Sequence, residues 1–158
     1  MRGWATFSDD GAYRYTLGRR WAPGGRRVCF CLLNPSTADA KALDPTLTRC
    51  FGYAKRWGYH TMDVANIFAL RSTDPKGLRK VADPVGPGND QAIVKLAKRA
   101  DLVVVGWGTH AALNSRHEEV VELLTPHCEP HCLAVTKHGF PKHPLYLRSD
   151  LKPAPFPH

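Results

Sequence analysis

No run in this chain of 158 residues is both long and apolar enough to cross a bilayer, and no apolar segment follows the early cation at Arg2. A span needs about 20 mostly apolar residues and a secretory leader needs an apolar centre. The expectation is a cytoplasmic protein without a membrane partner. Acidic side chains are few as well: 14 Asp and Glu stand against 22 Lys and Arg, a net charge of +8. That balance favours polyanionic partners, nucleic acid first among them, without choosing between DNA, RNA and a free nucleotide. The five cysteines, at 29, 31, 50, 128 and 132, are an odd number in a chain with no leader, which argues against a disulfide framework. Cys29 and Cys31 alternate along an apolar run and read as small core residues. His127-Cys128-Glu129-Pro130-His131-Cys132 gathers metal-type ligands, but no second cluster completes a set of four and its proline marks a turn. No metal and no cofactor is expected. Repeats and low-complexity segments are missing too, so one domain over residues 1–158, as a monomer, is the working expectation.

What is present alternates between strand and helix patterns. Ala5-Thr6-Phe7, the turn Asp9-Asp10-Gly11 and the run Tyr13 to Leu17 predict a hairpin, part of an N-terminal extension over residues 1–27. Val28-Cys29-Phe30-Cys31-Leu32-Leu33 is continuously apolar, the pattern of a strand buried on both faces. Asp44-Pro45 pairs a helix cap with a first-turn proline, and Gly58 closes the helix they open. Met62 to Ala65, Leu102 to Val105 and Leu133 to Thr136 predict three more inner strands. Ala92, Ile93, Leu96 and Ala97 have helical spacing within residues 89–100, and a further helix is predicted from Thr109 to Leu124. Residues 149–158 are proline-rich and predict an irregular tail. The fold class is α/β: a three-layer sandwich around a central four-stranded, mostly parallel sheet, with an N-terminal β-hairpin.

Open sheets of this kind bind ligands at the carboxyl ends of their strands. Asn34, Asn66, Trp107 and the loop carrying His143 each follow one of the four predicted inner strands, so they are expected to converge on one cleft. These residues carry a resemblance to the uracil-DNA glycosylase superfamily. The Asn34-Pro35 turn resembles the first motif of its mismatch-specific uracil and thymine branch. Asn66, in Val64-Ala65-Asn66-Ile67-Phe68-Ala69-Leu70-Arg71, is similar to a strand-end Asn that reads uracil. Val105-Gly106-Trp107-Gly108-Thr109-His110-Ala111 resembles a Trp-Gly-x-His-Ala segment, and His143-Pro144 with Leu147 resembles the second motif. Order and spacing agree over residues 28–148. The same loops, Leu33-Asn34-Pro35-Ser36-Thr37-Ala38-Asp39 and His143-Pro144-Leu145-Tyr146-Leu147, are also similar to a bacterial and phage family of unknown function. Two departures matter. Asn34 stands where the superfamily's uracil branch has a water-activating Asp, and Leu145 and Tyr146 replace the serine and second proline of its His-Pro-Ser-Pro loop.

The resemblance implies a DNA glycosylase-like enzyme that flips a modified or mismatched pyrimidine and hydrolyses its N-glycosidic bond. Such an enzyme needs a placed water, donors at the base oxygen and a grip on the flipped nucleotide. Asn34 would hold the water through its side-chain carbonyl, acting by position rather than proton abstraction; otherwise it only starts a turn. His143 would donate to the oxygen of the leaving base or stabilise its charge electrostatically; otherwise it is a surface histidine in a turn. Asn66 reads a pyrimidine edge or caps the next loop, Phe51 stacks on the base or faces the core, and Trp107 lines the pocket or the core. Ser36, Thr37, Lys137, Lys142 and Arg148 would hold phosphates as a cluster around His143, while any one of the cations taken alone reads as solvated surface charge. Leu147, with Tyr146, would wedge into the gap left by the flipped nucleotide or pack at a strand end. Asp44 and Asp74 are assigned to helix capping. The partner is DNA, single- or double-stranded. Two alternatives stand beside this reading: a non-catalytic module recognising a modified base or DNA structure, and a hydrolase acting on free nucleotides.

Overall fold

The apolar run after Arg27 lies at the centre of a sheet, where a strand has no wet face, and every residue from Val28 to Leu33 is buried. The computed structural model covers residues 1–158. Its strands are β1 (Arg2–Phe7), β2 (Arg14–Arg20), β3 (Arg27–Leu32), β4 (Thr61–Asn66), β5 (Leu102–Val105), β6 (His131–Cys132) and β7 (Ala154–Pro155). They form one mixed seven-stranded sheet in the order β1-β2-β4-β3-β5-β6-β7. Pairing is parallel at β4–β3, β3–β5 and β5–β6, and antiparallel at β1–β2, β2–β4 and β6–β7. The expected four-stranded, mostly parallel sheet is therefore corrected. The N-terminal hairpin and the tail do not stand apart but add strands at both edges, each by antiparallel pairing.

Alternation of side chains divides the core in two. Val28, Phe30 and Leu32 pack with Leu47, Cys50, Tyr53 and Ala54 of helix α1 (Pro45–Arg56) on one face. Cys29 and Cys31 point the other way, toward Ile93, Leu96 and Ala97 of α2 (Asn89–Arg99) and Val120 and Leu124 of α3 (Arg116–Leu124). Helix α1 starts where Asp44 accepts a hydrogen bond from the Leu47 amide at 2.9 Å, with Pro45 in the first turn. It ends at Gly58, whose φ of 83° suits the left-handed closing residue, and the Tyr59 amide reaches back to the Ala54 carbonyl. No helix is long and apolar enough to cross a membrane.

Three further expectations change. The helix predicted from Thr109 begins as a 3-10 segment, Thr109–Ser115, and becomes α-helical only at Arg116. Asn114 and Ser115 both sit at φ 55°, in the left-handed region that breaks a continuous helix. The strand predicted at Leu133–Thr136 lies instead at His131–Cys132. Residues beyond it leave the sheet because Ala134 and Thr136 pair back on Lys142 and Phe140 in a local loop. Finally, the tail is not wholly irregular: Ala154–Pro155 form β7, and Phe156 meets the Trp107 ring edge-on at 6.1 Å.

At the amino ends of the central strands a buried carboxylate is fully paired. Asp63 of β4 has no exposed side-chain surface and is held by Arg27 at 2.8 Å and by both forks of Arg99 at 2.8 and 3.0 Å. Desolvated carboxylates persist only when so paired.

Candidate functional site

At the opposite end of the same strands the polar groups surround open space. A cleft of about 680 Å³ lies among the loops after β3, β4 and β5 and the His143 loop, within the usual range for a ligand site. The first wall follows β3. Asn34 donates through Nδ2 to the carbonyls of Ser72 at 2.8 Å and Pro35 at 3.1 Å, and the Ser72 amide returns a bond to the Pro35 carbonyl at 2.9 Å. These bonds stitch the loops after β3 and β4 together and fix the Asn34 side chain. Its Oδ1 has no partner in the protein, and Asn34 lines the cleft.

The facing wall is the His143 loop, laid across the end of β5. The Gly108 amide donates to the Pro141 carbonyl at 2.9 Å, and the Lys142 amide to the Ala134 carbonyl at 2.8 Å. Gly106 allows this approach: a Cβ there would meet the Lys142 carbonyl and Pro144 Cδ at 3.3 Å. Within the loop, the Leu145 amide donates to His143 Nδ1 at 3.3 Å. A ring nitrogen that accepts carries no proton, so Nε2–H becomes the donor of this imidazole. Burial lowers the His143 pKa, with the nearby Asp44 carboxylate opposing, and the ring is neutral at neutral pH.

Asp44 is the only carboxylate lining the cleft. One of its oxygens caps α1 and the other is without a protein partner. As a helix cap it is legible in the sequence; as a group facing His143 it is not, because that needs α1 placed against the His143 loop, which follows β6. Hydroxyls from Thr46, Ser72, Thr73, Thr109 and Thr136 complete the lining, and none of these is singled out by a motif.

The other expected site residues divide. Ser36, Thr37, Lys142, Trp107, Leu147 and Tyr146 line the cleft, as does His110. Trp107 is 1% exposed and forms its floor while also packing in the core. Tyr146 is 89% exposed at the rim and holds φ 72°, whereas Leu147 packs against the α1-side core. The Leu147 amide closes a turn onto the Pro144 carbonyl at 3.2 Å, with Tyr146 where such turns ordinarily carry glycine or asparagine. Asn66 is outside the cleft wall. It is 2% exposed, and its Oδ1 accepts from Arg14 at 3.0 Å. Arg14, itself 1% exposed, also donates to the Ala38 carbonyl at 3.2 Å and braces the Asn34 loop from beneath. Burial pushes its pKa down to about 10, which still leaves the guanidinium charged at neutral pH. Phe51 lies on α1 away from the cleft, edge-on to Trp21 at 5.0 Å. Lys137 is not in the lining, and Arg148 turns outward to Asp150 at 2.7 Å.

No curated protein and no solved structure gives a match to the chain. Residues 14–145 match the family described as protein of unknown function, DUF1643. That span begins at the buried Arg14 and holds Asn34, Asp44, Trp107 and His143. The chain belongs to this DUF1643 family.

Proposed function

We propose that the cleft takes up a pyrimidine nucleotide flipped out of DNA and hydrolyses its N-glycosidic bond, in line with the resemblance to the uracil-DNA glycosylase superfamily. One observation carries this reading. Asn34 and His143, far apart in sequence, meet in one cleft with their other polar atoms tied off, leaving a free acceptor on one wall and a free donor on the other.

Hydrolysis joins a water oxygen to C1′ of the sugar as the bond from C1′ to the base nitrogen breaks. The electron pair leaves with the base, and negative charge grows on its ring oxygens. Asn34 Oδ1 orients the water by accepting one of its hydrogens. The carboxylate that Asn34 cannot supply comes from Asp44, whose uncapped oxygen takes the proton the water gives up. His143 Nε2–H donates to the base oxygen where charge develops, and a neutral imidazole suits a donor that need not release its proton. Trp107 gives the base an aromatic wall, Lys142 meets a flanking phosphate, and Tyr146 at the rim fills the vacated stack. The hydroxyls of Thr46, Thr73, Thr109 and Thr136 suit a base with polar substituents, so modified or mismatched pyrimidines are the favoured substrates.

The test is base release from short DNA single strands and duplexes carrying uracil, mismatched thymine, hypoxanthine or 5-substituted pyrimidines. Asn34→Ala and His143→Ala are each expected to lower the rate about 10²- to 10³-fold, as loss of an oriented donor or water does. No product from any substrate, with DNA still bound, would replace the enzyme by a recognition module. Release from free nucleotides without dependence on DNA length would replace it by a nucleotide hydrolase.

A further inference from the structure

The cleft continues past Asp44. Asp44, Pro45 and Leu145 form a shared lip, and beyond it a groove of about 580 Å³ runs along α1 past Thr48, Arg49, Gly52 and Arg56. Two features of this helix bear on what the groove could hold. The first is charge. From Pro45 to Arg56 the helix carries Arg49, Lys55 and Arg56 and no acid, and none of the three enters an ion pair. On the other α-helices Arg99 pairs with Asp63 and Arg116 with Asp90, while Lys95 and Lys98 of α2 are, like the cations of α1, outside any ion pair. Seven residues are two helical turns, so Arg49 and Arg56 share one face roughly 10 Å apart along the axis. Arg56 stacks over the Tyr53 ring at 5.2 Å, which holds its guanidinium near the groove. Asp150, on the tail, is taken by Arg148 at 2.7 Å.

The second feature is Gly52. A glycine inside a helix is costly relative to alanine, so it calls for a reason. A left-handed backbone is not one, since Gly52 sits within α1. The reason is Arg56: a Cβ at Gly52 would meet its guanidinium at 3.3 to 3.8 Å, so the glycine makes room for that side chain to lie across the helix, in a groove open to the cleft.

We infer that this groove receives the backbone of a nucleic-acid strand continuing out of the cleft, with phosphates on Arg49 and on Arg56 where Gly52 seats it. The identity of the partner rests on the nucleic-acid reading of the cleft; the unpaired arginines and the glycine beneath Arg56 are independent of it. Guanidinium forks match phosphate oxygens two at a time, which suits arginine to this task better than lysine.

Binding of the full chain to labelled single-stranded and duplex DNA, measured over a range of salt, tests the inference. Each phosphate contact contributes about 0.9 to the slope of log affinity against log salt for duplex and about 0.7 for single strands. The double variant Arg49→Gln, Arg56→Gln is expected to flatten the slope by about 1.8 or 1.4 respectively. Gly52→Ala is expected to raise Tm, from better helix propensity, yet weaken binding several-fold. A glycine with only a structural role would not separate those two readouts. Unchanged slope and affinity in the double variant would overturn the groove. Base release from the wild type is read in parallel. Release present with an unchanged slope sinks the groove alone, a flattened slope without release sinks the catalytic reading alone, and no DNA binding sinks both.

Discussion

The two ends of the central strands differ in how much hydrogen-bonding capacity they leave free. At the amino ends, Asp63 is wholly buried and every oxygen is matched by Arg27 or Arg99. At the carboxyl ends, Asn34 Oδ1, His143 Nε2 and one oxygen of Asp44 face the cleft without protein partners. β3 spans the contrast, with Arg27 of the paired cluster at its start and Asn34 just past its end. A saturated cluster offers a ligand nothing and contributes to holding the strands together. Groups held in place by half of their hydrogen bonds, with the other half free, are oriented for something outside the chain. Burial alone therefore does not mark the site; unspent hydrogen-bonding capacity on fixed side chains does.

The sharpest way to break this comparison is at its closed end. Asp63→Ala leaves two arginines facing each other at a buried position and is expected to destabilise the fold by about 3–5 kcal/mol, measured by urea denaturation. A change within about 1 kcal/mol would show that the cluster is not what holds that end. At the open end, Asp44→Asn should do the reverse. Asn caps helices as well as Asp, so stability is retained while base release falls about 10²-fold through loss of the proton acceptor. If release is unaffected, Asp44 is a cap and no more.

Tyr146 sharpens the same contrast at the rim. A non-glycine residue at φ 72° is strained by roughly 1–2 kcal/mol, which glycine would relieve against its own entropic cost of about 0.5–1 kcal/mol. Tyr146→Gly should thus leave stability within about 1 kcal/mol of wild type while DNA affinity drops several-fold. Equal affinity would remove Tyr146 from the interface. The smallest effect expected is on pH dependence. His143 titrates below the ordinary imidazole value of 6.5 in the folded protein, so under that value the unfolded chain binds more protons. Its contribution to stability is present above pH 6.5 and is lost as pH falls through the depressed folded value. His143→Gln should therefore lose less stability than wild type between pH 7.5 and 5, and parallel curves would count against a buried neutral imidazole.

Much of the centre was legible from local pattern. The runs at 28–33, 62–65 and 102–105 became β3, β4 and β5 within a residue or two, because full burial leaves a continuous apolar signature. Asp44-Pro45 and Gly58 bounded α1 because capping is local chemistry. The edges were not legible in the same way. β6 and β7 are two residues each, too short for any periodic signal, and exist through pairing with each other and with β5. Asn66 shows the same limit in the site. As a strand-end Asn it reads as a base contact, yet Arg14, 52 residues earlier in the chain, claims its oxygen from the neighbouring strand β2.

Neighbours along the chain are enough to say which residues are apolar enough to build the inner strands, where α1 starts and stops, and that Asn34 and His143 sit on turns following apolar runs. Packing of distant segments is what brings the hairpin into the main sheet, sets Asp44 toward His143, spends Asn66 on Arg14, and extends the cleft along Arg49, Gly52 and Arg56. Each of these depends on which groups from distant segments compete for the same hydrogen bonds and the same space, and that competition is settled when the layers pack.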